Sequence, residues 1–177
     1  TIWSILNRSN IKQIVLNEPI TYPPEKINGI MTTGFSTPPL SRNFVYPPTI
    51  RNEIDKACGG YEPELPSALR AIIAKDRNKG LELINEAAKK IFKLVKYLGK
   101  NYEWDLLSAI FTSTDRLQHF YFSDPRCIST HYKLIDGFLK EILNLESNAN
   151  IIIVSDHGFG PLEKYFYMNK WLIDRGL

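Results

Sequence analysis

Residues 151–157 have the sequence IIIVSDH, an apolar run that ends in an adjacent carboxylate and imidazole. The run predicts a buried strand, and a buried strand has no structural need for Asp156 and His157 at its exit. A strand end that delivers two potential metal ligands into a loop is a common way to build an active site. Gly158 and Gly160 follow at once and would let the loop pass close to a bound group.

A second junction of the same kind lies upstream. Residues 106–111 (LLSAIF) form another apolar run, which leads through residues 112–114 to Asp115 and His119. If residues 115–121 are helical, these two side chains project from the same face and can bind one ion. On a regular strand Asp156 and His157 would point to opposite faces, but a bend at the strand exit can bring both to one site.

The apolar spacing indicates long helices that alternate with these strands. Residues 79–98 and 129–145 each carry apolar side chains at steps of three and four. This alternation predicts one α/β domain over residues 1–177, with a mostly parallel sheet flanked by helices. In such sheets ligands bind at the carboxyl ends of the strands, where both junctions fall.

Shorter elements complete the predicted order. We expect short helices at residues 2–9 and 50–57, a strand at residues 11–16, and a final helix around residues 171–173. Prolines and glycines are frequent at about residues 19–48, which excludes a helix there. This segment is expected to wrap over the surface in an extended conformation.

Composition restricts the function classes. The 177 residues are 44% hydrophobic and 23% charged, as is ordinary for a globular domain, and no apolar stretch approaches the roughly 18 residues of a membrane span. The net charge of +3 gives little reason to expect a nucleic-acid partner. Two cysteines, Cys58 and Cys127, favour a reducing, cytoplasmic compartment. Whether they pair, and the oligomeric state, stay open.

The ligand types indicate a transition metal. Mixed carboxylate and imidazole ligands suit zinc, manganese or iron better than calcium or magnesium. Each pair alone is a weak signal, since Asp115 could also cap a helix and His119 could lie on the surface. The third histidine, His131, lies at the start of an amphipathic helix and is interpreted as structural. A serine hydrolase is not favoured, because no Gly-x-Ser-x-Gly sequence occurs.

Together the two motifs resemble those of a known family. Asp115-x-x-x-His119, followed by SDHGFG at residues 155–160, is similar to the type I phosphodiesterase/nucleotide pyrophosphatase family of the alkaline phosphatase superfamily. Residues 21–24 (TYPP) and 167–172 (YMNKWL) resemble its prokaryotic branch. The resemblance covers nearly all of the chain and implies an alkaline-phosphatase-like fold that is incomplete at both ends.

The resemblance also implies a chemistry. Members of the family hold two zinc-like ions and attack phosphorus with a threonine or serine, and a metal-activated water then hydrolyses the covalent intermediate. Asp115 and His119 would bind one ion, and Asp156 and His157 the other. The substrate would be a small phosphate ester or a nucleotide. Zinc is the expected metal, with manganese next. Diesterase, monoesterase, sulfatase and mutase activities all stay open.

The resemblance leaves part of the site outside this chain. The family's first aspartate ligand and its nucleophile would precede residue 1, and a further histidine ligand would follow residue 177. The threonines of this chain, Thr32, Thr33, Thr37, Thr112 and Thr114, have no distinguishing local motif. We therefore expect an internal part of a catalytic domain that is inactive by itself. The alternative is a catalytically silent α/β fragment or degenerate relative that binds at most one metal and serves an interaction role.

Overall fold

The sheet is open, four-stranded and mostly parallel. A computed structural model of the protein describes residues 1–63, 65, 69–145 and 148–177. The strands are β1 (Gln13–Glu18), β2 (Gly29–Thr33), β3 (Val45–Tyr46) and β4 (Leu106–Ala109), in the spatial order β3-β2-β1-β4. β1 is parallel to both β2 and β4, and β3 is antiparallel to β2. The predicted α/β class is confirmed, and the architecture is consistent with an alkaline-phosphatase-like fold.

Helices surround this sheet. They are α1 (Ile2–Arg8), α2 (Arg51–Cys58), α3 (Leu69–Lys75), α4 (Arg77–Asn101), α5 (Ser113–Tyr121), α6 (Pro125–Ile142) and α7 (Met168–Asp174). A short 3-10 helix, Pro48–Ile50, precedes α2. Within the described part of the chain, no helix is both long enough and apolar enough to cross a membrane. The structure leaves both cysteine thiols free, so Cys58 and Cys127 do not pair.

The central strand β1 is buried on both faces, because other elements cover both sides of the sheet. Ile14 and Leu16 point into a cluster that α2 and α4 cover, where Leu94 is fully buried. Val15 points the other way and packs against Trp3 of α1. This is the environment expected for a parallel strand with helices on both sides, and it fixes the register of the sheet.

Capping residues explain where the long helices begin. Asp76 accepts a hydrogen bond from the backbone N–H of Lys79 and so begins α4. The second long helix begins four residues before the predicted position 129. There, the carboxylate of Asp124 accepts from the N–H groups of Arg126 and Cys127, and Pro125 occupies the first helical position.

Part of the interpretation of residues 19–48 is wrong. The segment contains no helix before Pro48, as predicted, but it is a mixture of turns and strands and contributes β2 and β3 to the sheet instead of only wrapping over the surface. β2 pairs with β1 along its length, and Met31 is fully buried. Gly29 makes this pairing possible, because a Cβ at that position would lie 1.9 Å from the carbonyl oxygen of Gln13. Pairing with β1, which lies upstream of the proline- and glycine-rich turns, makes this part of the segment a strand.

The strand predicted at residues 151–154 is also wrong. These residues form no strand, and Ile152 and Val154 are 83% and 79% exposed. A strand exists only where its N–H and C=O groups meet a partner. Among the described residues, β4 pairs with β1 alone, and residues 151–154 have no ladder hydrogen bond. The apolar run therefore leads to Asp156 and His157 as an exposed extended segment.

Candidate functional site

The first acid–histidine pair lies on α5, which begins just after β4 at the carboxyl end of the sheet. Asp115 is in the first turn, and its Oδ1 lies 3.4 Å from Nε2 of His119. Two ligands of one tetrahedral zinc ion lie about 3.3 Å apart, because zinc–nitrogen and zinc–oxygen bonds are about 2.0–2.2 Å long. The helical spacing predicted from sequence therefore places these two side chains at the separation that one ion requires.

Arg116 contacts the same carboxylate from the other side. Its Nη1 lies 3.3 Å from Oδ2 of Asp115, while its guanidinium stacks 4.8 Å from the ring centroid of Phe35. Because Oδ2 faces the arginine, Oδ1 is the oxygen turned to His119. Arg116 thus forms an ion pair that orients the carboxylate of Asp115 and partly neutralises its negative charge.

The second pair is built by a tight bend of the backbone. Oδ2 of Asp156 lies 3.6 Å from Nε2 of His157, so the two neighbours do face the same side. Nδ1 of His157 lies 2.8 Å from the carbonyl oxygen of Gly158. Since a carbonyl only accepts, Nδ1 is the nitrogen that carries the proton in the neutral ring, and Nε2 then has its lone pair. This is the arrangement in which a histidine binds a metal through Nε2.

The two pairs lie close to one another. The pKa of His157 is raised, first by the hydrogen bond to Gly158 and then by the charges of Asp156 and Asp115. The ring of Phe159 meets the ring of His119 edge-on, with centroids 4.9 Å apart and planes at 90°. The loop that follows the second pair therefore contacts the helix that carries the first.

The structure does not join the pairs into one cluster. Over residues 1–63, 65, 69–145 and 148–177, no group of three or more histidine, cysteine, aspartate or glutamate side chains is close enough to hold one ion. The Asp156 side chain is 90% exposed. Each pair taken separately has the ligand types and the spacing for a zinc-like ion, so the residues fit two partial sites better than a single four-ligand site.

The hydroxyls of the five candidate threonines all form hydrogen bonds within the fold. Oγ1 of Thr32 accepts from the backbone N–H of Asn17 at 2.9 Å, and Oγ1 of Thr37 donates to the carbonyl of Gly34 at 2.6 Å. The other three candidate threonines each take part in at least one intramolecular hydrogen bond. We assign none of these five threonines as the nucleophile.

Sequence reasoning missed a buried polar network at the carboxyl end of β1. The side chain of Asn17 donates to the carbonyl of Ile110 at 2.9 Å, and its oxygen lies 3.2 Å from the hydroxyl of Tyr61. A cavity of about 60 Å³ borders both residues. Substrate pockets usually measure about 300–1,000 Å³, so this cavity is too small for one. An asparagine at the end of an apolar strand was the only signal for the network.

His131 is structural, as predicted. Its Nδ1 lies 2.7 Å from Oδ1 of Asn85, and its Nε2 lies 3.1 Å from Oγ of Ser113. The hydrogen-bonded series Ser113–His131–Asn85 has the order of residues found in a serine–histidine catalytic triad. However, burial lowers the pKa of His131 to about 4, which makes it a weak base at neutral pH. Its contacts instead tie α4, α5 and α6 together.

Comparison with known proteins gives one match. The model of a family described as type I phosphodiesterase / nucleotide pyrophosphatase matches residues 1–177. No curated protein and no solved structure matches the chain.

Proposed function

The chain belongs to the type I phosphodiesterase/nucleotide pyrophosphatase family, a family of phosphoric ester hydrolases, and on this basis we propose that its protein uses two zinc-like ions to hydrolyse small phosphate esters or nucleotides. The match over the whole chain supports the hydrolase class. The single observation that supports the metal chemistry is the repeated geometry of the two pairs. Asp115 with His119, and Asp156 with His157, each place an oxygen and a nitrogen 3.4–3.6 Å apart.

Each pair would hold one ion. When bound, such ions supply Lewis-acid stabilisation of phosphoryl oxygens and lower the pKa of water. The protein's own groups prepare the ligands. The Gly158 carbonyl holds the proton on Nδ1 of His157, and Arg116 keeps Oδ1 of Asp115 directed toward His119. Zinc is the favoured ion, since each pair offers one imidazole and one carboxylate, and manganese is second.

A hydrolysis assay on the protein expressed from its natural gene tests this proposal. With bis(p-nitrophenyl) phosphate and zinc, Asp156→Ala should lower turnover by at least about 100-fold, because a ligand is lost. The matched control is Asp136→Ala, since Asp136 is an exposed carboxylate on α6. Its variant should keep wild-type turnover. Full turnover by Asp156→Ala with a normal metal content would contradict the assignment of the ligand.

A catalytically silent relative is the second candidate. It is favoured by one observation on the described residues: no group of three or more potential metal ligands is present. This candidate predicts at most one bound ion per chain and no turnover with zinc or manganese. Turnover that zinc restores after chelation would exclude it.

A further inference from the structure

An open cleft lies on the side of α5 that carries His119. It is bordered by α3, by the first turn of α4 and by the end of α5, and its volume is about 440 Å³. Its lining residues are Arg70, Ile73, Ala74, Arg77, His119 and Phe120. The cleft therefore combines two guanidinium groups with one of the candidate metal ligands.

The two arginines are held in place by the rings that follow His119 in the sequence. The guanidinium carbon of Arg70 lies 5.8 Å from the ring centroid of Phe120, and that of Arg77 lies 4.5 Å from the ring centroid of Tyr121. Nη2 of Arg77 also donates to the carbonyl oxygen of Phe120 at 3.3 Å. Such cation–π contacts orient a guanidinium and leave its edge free to donate.

Little of this positive charge is neutralised. Among the residues that the structure describes, neither Arg70 nor Arg77 forms an ion pair with a carboxylate. Two carboxylates lie in the vicinity: Asp76, which precedes Arg77 and accepts from the backbone N–H of Lys79, and Asp124, whose pKa is lowered in small part by Arg77. Oδ1 of Asp124 already accepts from two backbone N–H groups at the start of α6. Each guanidinium has five N–H donors, so most of them remain for a ligand.

We propose that this cleft is a phosphate-binding subsite in which Arg70 and Arg77 hold a phosphate group other than the one under attack at the metal pairs. Phosphate is the favoured anion, because the planar guanidinium fork matches two phosphate oxygens. His119 lines the cleft and also belongs to the first metal pair, so a bound substrate would span both. This inference rests on the proposed function in one respect: that the bound phosphate belongs to a phosphate-ester or nucleotide substrate.

Binding measured without metal tests the subsite separately from catalysis. In buffer with a chelator, calorimetric titration of the wild-type protein with ADP should show saturable binding that weakens with salt. Arg70→Gln and Arg77→Gln should each raise the Kd by about tenfold, and the double variant should abolish binding. Arg42→Gln is the matched control, since Arg42 is an exposed arginine distant in sequence that does not line the cleft, and it should bind as wild type does.

Two further arms make the result decisive. Arg77→Lys keeps the charge but loses the fork, so its Kd should lie between those of wild type and Arg77→Gln. Circular dichroism should show that all variants keep the wild-type fold. Equal Kd values for wild type and both glutamine variants would overturn the subsite. If inorganic phosphate bound as tightly as ADP, the cleft would be a site for the free ion, and its role in holding substrate would be overturned. Because the titration is carried out with a chelator, a failure of the metal proposal would not affect this test.

Discussion

Phe159 and His119 are separated by 40 positions in the sequence, yet their rings meet edge-on, with centroids 4.9 Å apart. Phe159 also lies 5.6 Å from the ring of Phe122, at the end of α5. These two contacts attach the loop that carries Asp156 and His157 to the helix that carries Asp115. Because residues 151–154 do not pair with a strand among the described residues, these ring contacts are what links the two candidate metal-binding motifs.

Removing this ring should loosen the site. In Phe159→Ala the edge contact, worth about 0.5–1.5 kcal/mol, is lost, so the zinc Kd should rise by about 3- to 10-fold. Phe166→Ala is a suitable control, because Phe166 is an exposed ring of the same segment that packs on Trp171 instead. Competition against a zinc-sensitive dye would measure both values. Equal zinc affinity in the two variants would show that Phe159 does not organise the site.

The close approach of β1 and β2 should be sensitive to one methyl group. Gly29 has a φ of +144°, and a Cβ there would lie 1.9 Å from the Gln13 carbonyl oxygen. Gly29→Ala should therefore lower the free energy of unfolding by at least about 2 kcal/mol. Gly137→Ala, where nothing lies within 4 Å on the helix α6, should instead raise it by about 1 kcal/mol. Urea denaturation measures both, and a Gly29→Ala protein as stable as wild type would refute the pairing.

Burial of His131 predicts a particular dependence of stability on pH. Its pKa is lowered from 6.5 to about 4 in the folded chain, so the unfolded chain binds more protons between these values. The free energy of unfolding should thus fall as the pH drops from about 6.5 to about 4, by up to roughly 3 kcal/mol from this residue. Above pH 6.5 the contribution is fully present.

Two measurements check this prediction. Urea denaturation at several pH values gives the free energy of unfolding as a function of pH. Between pH 6.5 and 4 this free energy should change less steeply for His131→Gln than for wild type. The ring resonances of His131 should titrate near pH 4 by NMR. A titration near the ordinary value of 6.5 would mean that the imidazole is not buried against Ser113 and Asn85 as described.

Local patterns predicted much of the fold, and pairing between distant residues decided the rest. The apolar periodicity of α4 and the spacing of Asp115 and His119 are local, and both predictions were confirmed. β2 was hidden within a Pro/Gly-rich segment, because its strand character comes from its pairing with β1. The strand predicted at residues 151–154 was wrong for the converse reason. Their composition suits a strand, but no partner pairs with them among the described residues.

The candidate site shows the same division. Sequence spacing identified both pairs, while the contact of Phe159 with His119 depends on tertiary structure. The cleft formed by Arg70 and Arg77 has no local signature, because the two residues belong to different helices and meet only around the rings of α5. The assignment of the four metal ligands stays a prediction.

Zinc content is the most direct test of that assignment. Elemental analysis after equilibration with zinc and removal of free metal should compare wild type with Asp115→Ala and Asp156→Ala, and use Asp136→Ala as control. Because each pair would hold one ion, wild type and control should retain about two ions per chain, and each ligand variant should lose about one. Equal zinc content in all four proteins would contradict the account.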